Sequence, residues 1–135
     1  MKYRLEWIAI AVLAAMAASC GGAARLTELQ RVKSGTLDVV LLSSHEALRH
    51  GKDTFVIEFR SMPAGTLVDV GTVKAGATMP MPGMPMMGSI DVRKADVAGR
   101  YEAASDLSMG GTWRTTVEWN GPAGQGSVTL SVSAQ

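Results

Sequence analysis

Length, composition and charge limit what this chain can be before any motif is considered. It has 135 residues, with 13 Lys and Arg against 12 Asp and Glu, so the formal net charge is +1. Nothing in this near-neutral balance suggests the basic face that nucleic-acid binding requires, and we expect no nucleic-acid partner. A single cysteine cannot form an intramolecular disulfide, so stability has to come from a hydrophobic core.

The first 19 residues have the pattern of an export signal. Lys2 and Arg4 provide a positive start, and a continuous apolar stretch follows over residues 7–18. That stretch is shorter than the roughly 20 residues that a membrane-spanning helix needs, and it matches the apolar core of a signal peptide. We therefore assign residues 1–19 to a signal peptide.

Small residues lead from the apolar stretch to Cys20. The run Ala17-Ala18-Ser19-Cys20 resembles the bacterial lipobox, whose cysteine receives a lipid on its sulfur before cleavage. Several acyl chains, at about 0.8 kcal/mol per buried methylene, make a stable membrane anchor. The alternative is an ordinary signal peptide with an incidental cysteine. Because Gly21 rather than an acidic residue follows the cysteine, we expect an outer-membrane lipoprotein of the cell envelope.

The rest of the chain has the length of one small domain. Residues 20–34 form a polar segment that we assign to a lipidated tether, and residues 35–135 form the domain. Short alternating stretches bounded by Gly, Pro and Ser succeed one another there, which is typical of strands. Seven such strands predict an all-β, immunoglobulin-like sandwich. The predicted strands are Thr36–Ser43, Thr54–Arg60, Thr66–Lys74, Gly88–Lys94, Gly99–Ala104, Thr112–Trp119 and Gly126–Ser133.

Alternation along these strands also predicts the core. In the second strand, for example, Phe55, Ile57 and Phe59 point to one face while the residues between them point to the other. The full set of expected core residues is Leu37, Val39, Leu41, Phe55, Ile57, Phe59, Val70, Ile90, Val92, Tyr101, Trp113, Val117, Leu130 and Val132.

One segment of the domain is rich in methionine and proline. Five of its nine residues are methionine, namely Met79, Met81, Met84, Met86 and Met87. Residues before proline favour extended or polyproline II backbone, which has three residues per turn. Met81, Met84 and Met87 would then share a face, with successive members about 9 Å apart along the axis. A bend at Gly83 would bring their sulfurs closer together.

Thioether sulfur is a soft ligand, which favours Cu(I), and by chemical analogy Ag(I), over oxygen-seeking cations. It carries no proton near neutral pH, so its binding needs no deprotonation, and it cannot be lost to a disulfide. We therefore predict a copper(I) site formed by these five methionines, with Met109 as a further ligand. Two alternatives remain, an apolar contact surface for a partner and simple packing, since methionine adapts to irregular spaces.

The other candidate groups are fewer. His45 and His50 lie in a polar connection, either as surface residues or as auxiliary ligands. We find no Ser-His-Asp arrangement, no phosphate-binding loop and no Cys/His zinc spacing. We therefore expect no enzyme and no cofactor other than copper.

Four segments taken together resemble the YtkA-like domain family, which is related to FixH-like proteins. They are Gly51–Phe59, Met79–Met84, Gly99–Ala103 and Leu107–Trp113. The resemblance implies an immunoglobulin-like sandwich in the envelope, either alone or joined to the periplasmic adaptors of heavy-metal efflux pumps. FixH-like relatives are associated with copper supply to respiratory oxidases. Asp53 stands where family members often carry Asn.

These observations lead to two hypotheses about function. The first is a lipid-anchored periplasmic module that binds copper and serves metal efflux or copper delivery, with an efflux-pump adaptor or an oxidase-assembly protein as partner. The second is an accessory domain without metal, whose apolar loop docks onto a larger envelope complex.

Overall fold

The computed structural model describes residues 25–135. The signal peptide, Cys20 and the start of the tether lie outside the described residues. Residues 25–135 contain no helix that is long and apolar enough to cross a bilayer. The strands are β1 Thr27–Ser34, β2 Leu37–Ser43, β3 Gly51–Ser61, β4 Thr66–Leu67, β5 Thr72–Met79, β6 Met86–Lys94, β7 Arg100–Leu107, β8 Gly111–Gly121 and β9 Gly124–Ala134.

All nine strands belong to one antiparallel sheet. The order is β1-β2-β3-β7-β6-β5-β8-β9, and β4 pairs with the end of β3. The edge strands β1 and β9 come into contact, and Gln30 Nε2 donates to Ser131 O over 3.4 Å, so the sheet nearly closes into a barrel. The all-β class is thus confirmed. The seven-strand immunoglobulin-like sandwich is not confirmed, because nine strands form one continuous sheet.

The two additional strands arise where the sequence pattern is weakest. β1 falls within the segment expected to be a tether, yet it pairs with β2, and its residues Leu29 and Val32 pack against the core. Its alternation is masked because the polar residues Gln30 and Ser34 take inward positions, and because a bulge between Glu28 and Gln30 shifts the register. The stretch predicted as one strand over residues 66–74 is split into β4 and β5. Between them, Asp69 Oδ1 accepts a hydrogen bond from the Gly71 N–H, and Gly71 has a φ of +89°.

The core fills the barrel. All the predicted core residues are buried except Leu37 and Val92, which are partly buried at its margin. The ring of Phe59 makes edge contacts with Tyr101 and Trp119, at centroid distances of 5.4 and 5.3 Å. Several core residues were missing from the prediction; they include Leu48, Val73, Ala77, Met79, Ala103, Leu107, Trp119 and Ala134.

Two carboxylates are buried in ion pairs away from this core. Glu58 is 1% exposed and accepts hydrogen bonds from Arg60 at 2.7 Å and from Arg100 at 3.2 Å. Burial alone would raise the pKa of Glu58, but these two arginines outweigh it and hold the pKa below its ordinary value. Asp38, on β2, accepts a bond from Arg31 at 3.0 Å. These ion pairs lie on four neighbouring strands of the sheet, β1, β2, β3 and β7.

One end of the barrel is closed by polar contacts and by close backbone approach. We call it the tyrosine end, after Tyr101, whose hydroxyl lies 2.8 Å from Gly71 O and 3.2 Å from Asp69 Oδ1. A Cβ atom on Gly71 would lie 2.6 Å from the Cα atom of Gly121, so the two chain segments touch there. Lys94 Nζ, 3.3 Å from Asp69 Oδ2, completes the cluster.

Candidate metal centre

The connections that carry the predicted ligands meet at the opposite end of the barrel, which we call the methionine end. They are residues 44–50, 80–85 and 108–110. The strand register brings them together, because Gly51 pairs with Leu107 and Met79 pairs with Met86. In the same way the start of β8 pairs with the end of β9, so the C-terminal residues also lie here. Sequence separation therefore does not prevent these segments from forming one site.

Met79 and Met86 form a direct cross-strand pair at the ends of β5 and β6. Met79 is 9% exposed and belongs to the core, so this face of the pair looks into the barrel. The Cα atoms of antiparallel partners lie about 4.5–5.5 Å apart, a spacing at which two long thioether side chains can reach one ion. A Cβ atom on Gly111 would come within 2.8 Å of Met79 Cε, so the glycine leaves room for this side chain.

Met109 lies in the turn between β7 and β8. The β6–β7 pairing ends at Ser89 and Asp106, so residues 108–110, which follow β7, lie at the same end of the sheet as Met86. A side-chain contact supports this placement, since Ser108 Oγ donates a hydrogen bond to Met86 Sδ over 2.9 Å. Trp113 stabilises this turn, because its Nε1–H donates a hydrogen bond to Met109 O at 3.1 Å. We call Met79, Met86 and Met109 the inner methionines, with the distinction that Met109 is itself 39% exposed.

The remaining three methionines face outward. Adjacent residues of a strand point to opposite faces, so Met87 points away from Met86, and it is 71% exposed. Met81 and Met84 are 42% and 80% exposed. They lie on either side of Gly83, whose φ of +90° turns the chain. We call Met81, Met84 and Met87 the outer methionines.

The structure thus divides a ligand set that the sequence analysis treated as one group. The chain bends at Gly83 as expected, but a continuous polyproline II stretch is wrong, because β5 extends to Met79 and β6 begins at Met86. Met79 is a core residue, in agreement with the packing alternative for that position. The position of the turn that carries Met109, at the same end as Met86, could not be read from the composition of the loop. Only the paired ends of the strands reveal it.

The two histidines lie at the methionine end as well. His45 Nδ1 lies 3.2 Å from Ser44 Oγ, and the His50 N–H donates to Gln135 O at 2.8 Å. Leu48, which the sequence analysis placed in a polar connection, is buried and forms a bridge to Ala134. This buried leucine ties the histidine-bearing loop to the end of β9. Over residues 25–135, no cluster of three or more His, Cys, Asp or Glu side chains could hold a metal ion.

Comparisons with solved structures concern the fold. FetP of uropathogenic Escherichia coli strain F11, in its "as isolated" form, has a TM-score of 0.51 and 10% identity, covering 81% of this chain and 95% of that chain. A copper-bound variant of the same protein has a TM-score of 0.48 and 9% identity, with the same coverage. A search of curated protein sequences found no significant match.

The family comparison reaches further, because it covers the methionine end. The YtkA-like family model matches residues 31–118, which is more than half of the chain. The matched range runs from β1 into β8, and it contains the inner and outer methionines and the turn that carries Met109. It also includes the four segments on which the resemblance was identified. The chain therefore belongs to the YtkA-like family.

Proposed function

We propose that this protein is a metal-binding module of the bacterial cell envelope that holds Cu(I), or Ag(I), at the methionine end. The observation that carries the proposal is the cross-strand pair of Met79 and Met86, to which Ser108 links the turn that carries Met109. Two thioethers of the methionine-rich segment and one from the β7–β8 turn thereby lie at the same end of the barrel. No enzymatic activity is part of the proposal.

The donor set fits a soft monovalent ion. Thioethers are neutral and polarisable, and they favour Cu(I), whereas Cu(II) favours nitrogen and oxygen donors in a tetragonal arrangement. Met86 accepts a hydrogen bond from Ser108, which uses one of the two lone pairs of its sulfur and leaves the other for an ion. Met79 is held by the core, and Met109 by the turn that Trp113 supports.

The outer methionines extend the sulfur ligands into solvent. Met84 and Met87 are the most exposed of the six, which suits a position where an ion first arrives or from which it leaves by ligand exchange. The module would buffer copper, or pass it to an efflux-pump adaptor or an oxidase-assembly protein. A lipid on Cys20 would keep it at the membrane, most simply the outer membrane.

Competition for Cu(I) against a chromophoric chelator tests the metal site. Two triple variants are matched, Met79→Leu/Met86→Leu/Met109→Leu for the inner set and Met81→Leu/Met84→Leu/Met87→Leu for the outer set. Leucine keeps the volume but removes the sulfur, and such swaps typically cost less than about 1.5 kcal/mol each. We expect the inner variant to lose the ability to compete and the outer variant to retain it. A wild-type protein that fails to compete contradicts the proposal.

A pH series identifies the ligand type. Thioethers carry no proton near neutrality, so affinity for Cu(I) should persist at mildly acidic pH. A site built on histidine would instead weaken in acid, because imidazole binds a metal only without its second proton. Affinity that falls away below about pH 6 would therefore assign the ion to the histidines.

The alternative function is that of an accessory domain without metal, and one observation favours it. The outer methionines present exposed apolar side chains at one end of the barrel, with Met84 80% exposed. Methionine suits surfaces that adapt to a partner. Because leucine is also apolar, the outer triple variant should still dock onto a partner. If this variant loses the function of the protein in cells, that loss would favour a role of the sulfur atoms over docking.

The anchor has a separate test. Replacing Cys20 with Ala removes the thiol that would be lipidated, so the variant should be released from membranes or remain unprocessed. Fractionation of cells producing each form measures the difference. A Cys20→Ala protein that stays with the membranes as the wild type does would contradict the anchor.

A further inference from the structure

The six methionines of the methionine end differ widely in exposure. Met84 and Met87 are 80% and 71% exposed, Met81 and Met109 are close to 40% at 42% and 39%, and Met79 is 9% exposed. Oxidants in solution reach exposed sulfur first. The difference in exposure therefore predicts that oxidants react with these methionines at different rates.

We propose that Met84 and Met87 form a site of reversible oxidation, which peroxide or hypohalous acid converts to methionine sulfoxide while Met79 is spared. With hydrogen peroxide, the Sδ lone pair attacks one peroxide oxygen and the O–O bond breaks. The second oxygen leaves as hydroxide, which takes the proton of the transferred oxygen and becomes water. The sulfur gains one oxygen atom and gives up two electrons, which reduce the peroxide. Methionine sulfoxide reductases reverse this change.

The surroundings of each sulfur support this order. Met87 has one weak polar contact, with Thr78 Oγ1 at 3.8 Å from its Sδ. Met84 lies in the loop next to Gly83, beyond the paired ends of β5 and β6. Met86 is partly buried, and one of the two lone pairs of its sulfur accepts a hydrogen bond from Ser108, which leaves less of this sulfur open to an oxidant.

The oxidation has a consequence for the metal site, and this step rests on the proposed function. A sulfoxide presents an oxygen and is polar, so it no longer offers the soft sulfur that Cu(I) favours. Oxidised Met84 and Met87 would stop exchanging the ion with the surroundings, while Met79 and Met86, which are buried and partly buried, would still hold it. Oxidants would therefore slow transfer without emptying the site.

The oxidation pattern can be measured without metal. The purified protein is treated with graded hydrogen peroxide, in native buffer and in denaturant, and digested with trypsin. Cleavage after Lys74 and Arg93 releases one peptide with five of the methionines, and fragment spectra locate each added oxygen. Met62, in the preceding tryptic peptide, is an internal reference.

In native buffer Met84 should react faster than Met79 by roughly the ratio of their exposed fractions, 80% to 9%, or about ninefold. In denaturant the difference should disappear.

Each outcome is decisive for a different claim. Equal rates for Met84 and Met79 in native buffer, or sulfoxides that methionine sulfoxide reductase fails to repair, overturn the oxidation site. If the pattern holds but oxidised and repaired proteins release Cu(I) to a chelator at the same rate, the effect on transfer is overturned. If the unoxidised protein binds no Cu(I), the proposed function fails, while the oxidation site stands on the peptide data. A Met84→Leu/Met87→Leu variant should show release that peroxide no longer alters.

Discussion

The tyrosine end and the methionine end close the same barrel with different chemistry. At the tyrosine end, a buried hydroxyl, a carboxylate and backbone groups hold one another at hydrogen-bonding distance, and Gly71 and Gly121 touch. Such contacts are directional, so they define one arrangement. At the methionine end, flexible thioethers fill the space, and methionine tolerates rearrangement. The comparison shows that directional polar contacts close one end of this barrel, whereas adaptable thioether side chains line the other.

The two ends also differ in how they respond to pH. The pKa of Asp69 is lowered by the hydrogen bond from the Gly71 N–H and by Lys94. The pKa of Tyr101 is raised by burial and by the negative charge of Asp69. The thioethers of the methionine end carry no proton to lose. We therefore expect pH to change the stability of the tyrosine end. The proposed binding of a soft ion at the methionine end should stay largely unchanged.

The largest loss of stability should come from replacing Trp113, which packs under the methionine end. Trp113 is fully buried, and its ring lies so close to Gly88 that a Cβ there would be 3.3 Å from Cζ3. Trp113→Ala should lower the free energy of unfolding by about 3–5 kcal/mol, because it leaves a large cavity. Denaturant titration measures the change. A midpoint close to that of the wild type would mean that the methionine end does not depend on this ring.

A matched pair of glycine substitutions compares the two ends directly. Gly71 and Gly83 have almost the same φ, +89° and +90°, but a Cβ on Gly71 would lie 2.5 Å from Asn120 O, whereas a Cβ on Gly83 would meet nothing within 4 Å. Both alanine variants incur the cost of left-handed backbone, about 1–2 kcal/mol. Gly71→Ala should lose about 1–3 kcal/mol more through overpacking. Equal losses in thermal unfolding would show that the tyrosine end is not tightly packed.

Removing the hydroxyl of Tyr101 should have a moderate effect that depends on pH. Tyr101→Phe should lower the free energy of unfolding by about 0.5–1.5 kcal/mol, the net value of a typical hydrogen bond. Because the folded pKa of Tyr101 is raised, the wild type should lose stability as pH rises above about 10, the ordinary tyrosine value. The variant should lack this alkaline loss. Melts in neutral and alkaline buffer check both points, and parallel curves for the two proteins would contradict the role of the hydroxyl.

Acid should destabilise the wild type through its carboxylates. The folded pKa values of Asp69 and Glu58 are both lowered, so their stabilising contributions are complete above their ordinary values near 4 and are lost as pH falls through the folded values. Glu58→Gln should flatten this acid loss while reducing stability at neutral pH. Unfolding curves between pH 7 and pH 3 test it. A Glu58→Gln protein with an unchanged acid transition would assign the loss to other groups.

The smallest change in stability is expected for Met84, in the connection between β5 and β6. Met84 is 80% exposed, so Met84→Leu should change the free energy of unfolding by no more than about 0.5 kcal/mol. A larger loss in denaturant titration would show that the loop packs on the barrel, and that the outer methionines are not free to exchange ligands.

Period-two alternation made most of the interior predictable. Where apolar and polar residues alternate, as from Phe55 to Phe59, the inward residues are indeed buried. Alternation failed where polar residues mask it, as in β1, and where a short break divides a strand, as around Gly71. Leu48 was missed for a related reason, since it is one buried leucine in a polar connection, without a neighbouring pattern.

The sequence by itself determined that this is a chain of short strands with a sulfur-rich loop, because alternation and composition are local properties. Only the tertiary structure decided which sulfurs share a face. Register pairs Met79 with Met86 and turns Met87 outward, and a one-residue shift would have reversed these directions. It also brings Met109, in a distant turn, to the same end. Such pairings depend on the packing of strands far apart in the chain, which no local pattern contains.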